Sequence, residues 1–297
     1  MHIKHILVPS DFSDTAQQAL INALYIASRH RAKITLLHIV TVFDDDPYNP
    51  KQVFPDLKKF YHHLEERAGD HFQETLSSNK LEDVHVEYAV RRGFSPYEEI
   101  LAFAADQNVD LISLGTHGRK PIARFFLGSV AENIVHHAKC PVLTAKMQER
   151  EAHVPSYERI LVPIDFSDQS IKALELACQL LAQDGVLYVL HVVEDAIHPA
   201  YFGVGENTFM QILPDIKEKA NTMLSDVIKE KVPDAVQANI YVKEGQVAAT
   251  IIEYADQHSF DLIVMGTHGM NTLGQIIIGS HANRVLRKAS CPVITIK

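Results

Sequence analysis

HILVPSDFSD at residues 5–14 returns as RILVPIDFSD at 159–168. LLHIV (36–40) returns as VLHVV (189–193), and KCPVLTAK (139–146) returns as SCPVITIK (290–297). The offset drifts only between 154 and 151, so the 297-residue chain is one unit of about 150 residues written twice, with short insertions between the repeated segments. A unit of that length buries a full core of its own. Whatever one half folds into, the other must fold into as well. The polar stretch MQEREAHVPSY (147–157), which holds Pro155 and little apolar periodicity, marks the boundary. The reading is therefore two domains, 1–147 and 157–297.

Each copy alternates two kinds of segment. Short β-rich apolar runs fall at 4–9, 34–40, 84–90, 110–115 and 141–146, and again at 158–163, 186–193, 237–243, 261–266 and 292–296. Helical patterns fall between them. The first follows Ser13 or Ser167, placed as N-caps, with Ala16, Ala19, Leu20, Ala23, Leu24 and Ala27 at helical spacing in the first copy. Others cover 53–79 or 208–231, 96–107 or 247–258, and the segment beginning at Ser129 or Ser280. Strands alternating with helices imply right-handed crossovers and a parallel sheet covered on both faces. The fold class is α/β, as two tandem doubly wound, Rossmann-like domains.

The glycines say where such a domain would hold a ligand. Gly115-Thr116-His117-Gly118, nine residues, then Gly128-Ser129 recurs as Gly266-Thr267-His268-Gly269, nine residues, then Gly279-Ser280. Each set follows an Asp-initiated strand, DLISLG or DLIVMG, and ends where a helix begins. There, unpaired N–H groups and the positive end of the helix dipole favour an anion, and a seryl hydroxyl adds a directed donor. Gly115 and Gly118 are expected to free the turn leaving strand four for positive φ and for close approach of a ligand. In an open sheet the ligand lies at the carboxyl ends of strands one and four, where Asp11 and Asp165 stand; a carboxylate there accepts from a ribose hydroxyl or an exocyclic amine. Ile39 and Val192, at the end of strand two, offer apolar surface for a base. Each choice has a plainer alternative. Asp11 and Asp165 also fit as residues preceding the Ser caps, His117 and His268 fit as solvent-facing turn residues, and the glycine sets fit a structural turn.

Other functions find less support. No G-x-x-x-x-G-K-[ST] is present, and no G-x-G-x-x-G follows a first strand; Gly203-Val204-Gly205 lacks its third glycine. A net charge of −9 argues against nucleic-acid or anionic-membrane partners. No apolar run is long enough to span a bilayer, and the start MHIKHILVPSD reads as a strand rather than a signal peptide, so a cytoplasmic protein is expected. Cys140, Cys178 and Cys291 read as small buried hydrophobes. Among 17 histidines, the adjacent pairs His62-His63 and His136-His137 point about 100° apart on a helix, which is poor geometry for shared metal ligation. No catalytic constellation recurs in the two loops; slow hydrolysis of a bound di- or triphosphate would need a cation among the phosphates, with Asp11 as the obvious nearby carboxylate.

Together, ILVP-x-DFS, LH-[IV]-V, DLI-x-x-GTHG, G-x2-G-x9-G-S and the closing CPV strand resemble the universal stress protein family in its tandem form. The resemblance covers nearly all of both halves. It implies a five-stranded parallel sheet in each domain, dimerisation through the last strand, and in one branch of the family ATP binding through the glycine motif; other members lack the motif and bind no nucleotide. Carried over by position, the first site comprises Asp11, Ile39, Gly115, Gly118, Gly128 and Ser129, and the second Asp165, Val192, Gly266, Gly269, Gly279 and Ser280. The ligand implied is an adenine nucleotide, ATP with or without magnesium, which the sequence does not separate from AMP. The two domains would form an internal pseudo-dimer through 141–146 and 292–296; a homodimer of the whole chain and an unidentified protein partner stay open. Arg119, Lys120 and Arg124 in the first loop are Met270, Asn271 and Gln275 in the second, so the first site is expected to bind more tightly unless those cations face solvent. His281 replaces Val130 beside the second Gly-Ser pair. The functional expectation is a nucleotide-dependent binding module or switch, with an ATP hydrolase or phosphotransferase, or a nucleotide-free scaffold, as the alternatives.

Overall fold

A computed structural model describes residues 2–42, 57–78, 84–116, 127–146, 156–194, 206–267 and 278–297; for Leu57 and 206–214 it describes the backbone alone. The chain divides into two compact units between Val154 and Pro155.

The N-terminal unit runs β1 (His5–Pro9), α1 (Asp14–His30), β2 (Lys33–Thr41), α2 (Leu57–Ser78), β3 (Val86–Gly93), α3 (Pro96–Asp106), β4 (Leu111–Gly115), α4 (Ser129–His137) and β5 (Val142–Ala145). Its strands are ordered β3-β2-β1-β4-β5, all parallel. The C-terminal unit repeats this as β6 (Arg159–Pro163), α5 (Asp168–Leu180), β7 (Val186–Glu194), α6 (Glu206–Lys231), β8 (Gln237–Gly245), α7 (Val247–His258), β9 (Leu262–Gly266), α8 (Ser280–Lys288) and β10 (Val293–Ile296). Its order is β8-β7-β6-β9-β10, again parallel. Both are the doubly wound α/β domains that the alternating pattern implies.

The order follows from handedness. Right-handed crossovers from β1 to β2 to β3 put α1 and α2 on one face, and the jump back to β4 and on to β5 puts α3 and α4 on the other. The packing of α3 on α4, and of α7 on α8, agrees. The central strands are continuous apolar runs because both faces are covered: Ile6, Leu7, Val8, Leu111 and Ile112 have no exposed surface beyond 1%. Helix α1 is buried more widely than its alanine stripe suggests. Ile21, Asn22, Tyr25 and Ile26 are buried as well, because α1 lies across β1, β4, β5 and β2 rather than along a single groove.

The aspartates that open the fourth-strand runs lie just outside those strands and serve the first. Asp110 Oδ2 accepts from the backbone N–H groups of Lys4 and His5 at 2.7 and 3.0 Å, and Asp261 Oδ2 from Glu158 and Arg159 at 3.0 and 2.8 Å. Each carboxylate pairs donors that would otherwise be orphaned where the sheet begins. Burial still pushes the Asp261 carboxyl above the usual carboxylate range, against those two donors. Beside Asp110, the buried His5 donates from Nδ1 to the Gln107 carbonyl at 3.2 Å and meets Thr35 Oγ1 through Nε2 at 2.8 Å. Burial holds its imidazole below the ordinary range. Tyr157, at the end of the polar boundary stretch, is fully buried and belongs to the C-terminal core.

Candidate functional site

Strand order 3-2-1-4-5 makes β1 and β4 neighbours whose crossovers leave in opposite directions. A crevice is thereby forced open beyond their carboxyl ends. In the N-terminal unit it is a cavity of about 740 Å³ lined by residues of β1, β2, β4 and helices α2, α3 and α4. That volume lies within the range of small-molecule and cofactor sites, roughly 300–1,000 Å³.

Three turns build the walls. The first is DFS. Asp11 Oδ1 accepts from Ser13 N at 3.1 Å and Ser13 Oγ at 2.6 Å, and Ser13 Oγ in turn accepts from Ala16 N at 3.3 Å, capping α1. Between them Phe12 is held at φ 65°, a left-handed conformation unusual for an aromatic residue. Its ring is fixed 4.7 Å from His38 and 5.0 Å from both His71 and Phe72, while the His38 Nδ1–H donates to the Ser10 carbonyl at 2.8 Å. The C-terminal unit repeats the device. Phe166 stands at φ 64° with its ring 4.8 Å from His191, Asp165 Oδ1 accepts from Ser167 Oγ at 2.5 Å, and His191 Nδ1–H donates to the Ile164 carbonyl at 2.8 Å. Asp11 thus has the plainer of the two parts that the sequence allows, one oxygen organising the helix start, and the residue also lines the cavity.

The second turn leaves β4. Gly115 is required here for close approach and not for positive φ. A Cβ at Gly115 would lie 2.7 Å from the Thr15 carbonyl carbon and from Thr15 Oγ1, so the strand end abuts the first turn of α1. Among the described glycines only Gly245 has a positive φ, which corrects the expectation for Gly115. Gly266 abuts α5 more loosely, its Cβ position 3.0 Å from Gln169 Cβ and 3.1 Å from Ser170 N.

The third turn begins α4. Thr116 N donates to Ala145 O at 3.0 Å, and Gly128 N donates to Thr116 O at 2.8 Å, so the residues flanking the loop are tied together at the sheet edge. Thr267 and Gly279 repeat this, with Thr267 N on Ile296 O and Gly279 N on Thr267 O, both at 2.8 Å. Gly128 is the N-cap of α4 and supplies no side-chain cap. The first turn of the helix, Ser129, Val130 and Ala131, lines the cavity.

Five predicted first-site residues, Asp11, Ile39, Gly115, Gly128 and Ser129, converge on this one cavity. Gly118, Gly269, His117, His268, Arg119, Lys120, Arg124, Met270, Asn271 and Gln275 lie outside the described residues. In the C-terminal unit Asp165 follows β6, Val192 lies in β7, Gly266 ends β9, and Gly279 and Ser280 begin α8, so these five occupy the matching strand ends and helix start. Sequence reasoning missed Phe12, His38, Arg67 and His71, all of which line the cavity. Phe12 and His38 carry a signal, since both recur in the duplication as Phe166 and His191. Arg67 and His71 come from α2, brought over by packing alone. The cavity's one described lining carboxylate is Asp11, and with Oδ1 committed to Ser13 it offers little to a metal ion by itself. The arrangement places a helix start, suited to an anion, beside an apolar strand end and ring surfaces.

The universal stress protein family model matches residues 2–146 and again 156–297. Universal stress protein MJ0531 of Methanocaldococcus jannaschii is 34% identical over 142 residues, covering 48% of this chain and 82% of that protein. A putative universal stress protein of Staphylococcus aureus, strain USA300, is 32% identical over 152 residues, covering 50% of this chain and 87% of that protein. A crystal structure of a universal stress protein from Archaeoglobus fulgidus covers 99% of this chain and 98% of its own, with TM-score 0.67 at 21% identity, a likeness of fold.

Proposed function

The chain belongs to the universal stress protein family, carrying the domain twice, and from that premise we propose that it binds an adenine nucleotide at the switch-point cavity of its N-terminal unit. The ligand we assign is ATP, with or without magnesium. The protein acts as a nucleotide-dependent binding module, its loaded and empty forms differing in what they bind.

One observation carries the reading. Strand ends and a helix start far apart in sequence, Asp11, Ile39, Gly115 and Gly128-Ser129, meet around a single cavity of about 740 Å³. The N–H groups at the start of α4 suit phosphate oxygens, the Asp11 carboxylate suits a ribose hydroxyl, and Ile39 with the Phe12 and His71 rings suits a base. Magnesium, if it accompanies the nucleotide, takes its ligands chiefly from the phosphates, as that ion commonly does. The protein's part is to hold and orient.

Calorimetric titration of the full chain with ATP, with and without magnesium, tests this. Micromolar or tighter binding that weakens in a Ser129→Ala variant of unchanged stability is the expected result. Heat-silent titration, with no nucleotide retained on a desalting column, would defeat the reading.

A further inference from the structure

The two units part at the mouth of the site. In the N-terminal unit the cavity is edged by Thr41, the last residue of β2, and Val130, the second residue of α4. Strand register fixes the counterpart of Thr41: Thr41 pairs with Gly93, and Glu194 with Gly245. Helix position fixes that of Val130, since His281 is the second residue of α8. A neutral pair is thus replaced by an acid and an imidazole.

These two side chains face each other. His281 Nε2 stands 3.9 Å from Glu194 Oε1, with the side chains 48% and 49% exposed. That separation exceeds hydrogen-bond reach, so the contact is one of bulk, with the Glu194 carboxylate as its charge. One partner extends from the strand that carries Val192, and the other from the helix that begins at Ser280. The contact therefore joins the strand of the expected base end to the helix of the expected phosphate end of the second site.

Resting on the nucleotide reading above, we propose that Glu194 and His281 form a clasp across the second site and make the chain's two sites unequal. A nucleotide entering there must part the two side chains. It then brings phosphate charge toward a helix start where the Glu194 carboxylate has lost the imidazole facing it. The N-terminal site, edged by Thr41 and Val130, meets neither obstacle. Both clasp residues are half exposed, so they can swing aside, and the clasp lowers affinity without abolishing binding.

The test is calorimetric titration of the full chain with ATP, comparing wild type with the double variant Glu194→Thr/His281→Val, which writes the first site's edge into the second. Both positions are half exposed, so the fold is retained, and thermal unfolding of the variant checks this. We expect wild type to show one stronger and one weaker site, and the double variant to tighten the weaker site about fivefold, the order of removing one exposed carboxylate that opposes phosphate charge. The stronger site should keep its affinity. Two equal sites in wild type, or a weaker site unmoved in the variant, would overturn the clasp while leaving nucleotide binding intact. No binding by either protein would overturn both.

Discussion

Gly115→Ala and Gly266→Ala are the same substitution at equivalent places, yet they should have unequal effects. At Gly115 the new methyl lies 2.7 Å from the Thr15 carbonyl carbon, a backbone atom, and from Thr15 Oγ1, which is buried. Ordinary contact begins near 3.4 Å, so the first turn of α1 must retreat by about 0.7 Å. That movement pulls on the Ser13 cap at Ala16 and on the Asp11–Ser13 turn. Its cost belongs at the upper end of overpacking, about 3 kcal/mol. At Gly266 the nearest atoms are Gln169 Cβ at 3.0 Å and Ser170 N at 3.1 Å, a relaxation of about 0.4 Å costing about 1 kcal/mol. Hydrogen exchange resolved by segment reads the difference. Amides of α1 should lose protection by about a hundredfold in Gly115→Ala, and those of α5 by about fivefold in Gly266→Ala. With a urea slope of about 2 kcal/mol/M, the first variant's unfolding midpoint falls by about 1.5 M. Equal losses, or none at Gly115, would show that the close approach is not what the glycine is for. Loss of ligand binding in Gly115→Ala is consequently no clean report on ligand contact.

Ser13→Ala removes both the cap at Ala16 and the hydroxyl that Asp11 holds, and should cost about 1 kcal/mol in urea unfolding; an unchanged midpoint would contradict the capped turn. Burial pushes the Cys178 thiol up to about 11, so in the folded chain it stays protonated and resists alkylation from neutral pH to about pH 9; rapid native-state labelling would refute this. Burial lowers the His5 imidazole pKa, and the folded state binds its proton less readily than the unfolded state does. That contribution to stability is present above the ordinary imidazole value, about 6.5, and is lost as pH falls through the lowered folded value. His5→Gln should flatten the fall in stability between about pH 7 and pH 5, and an unaltered slope would contradict it.

Much of this architecture is legible because its determinants are local. The runs ILVP and, after each opening aspartate, LI-x-x-G are apolar but for Ser113 and so announce central parallel strands, and Ser13 and Ser167 mark helix starts two residues past an aspartate. Gly128 and Gly279 were readable as helix starts for the same reason. Gly115 was readable as special but not for its cause, since the atom that excludes a side chain there belongs to Thr15, a hundred positions away in sequence. The role of Asp110 was hidden similarly, its partners being the N–H groups of Lys4 and His5. Arg67 and His71 reach the cavity because α2 folds back over β2, a matter of tertiary packing that leaves no mark on the helix's own periodicity. The clasp needed both kinds of information. Sequence singled out His281 by its contrast with Val130, and only the fold supplied Glu194 as its partner.

Location is the most direct test of the central claim. Amide NMR spectra of the labelled chain, recorded through a titration with ATP, should shift at Ser10–Phe12, around Ile39, and at Ser129–Ala131, the residues that meet around the cavity. Saturable shifts clustered there would bear out a nucleotide site at the switch point of the first sheet. Shifts confined to other surfaces, or spectra indifferent to ATP, would contradict it.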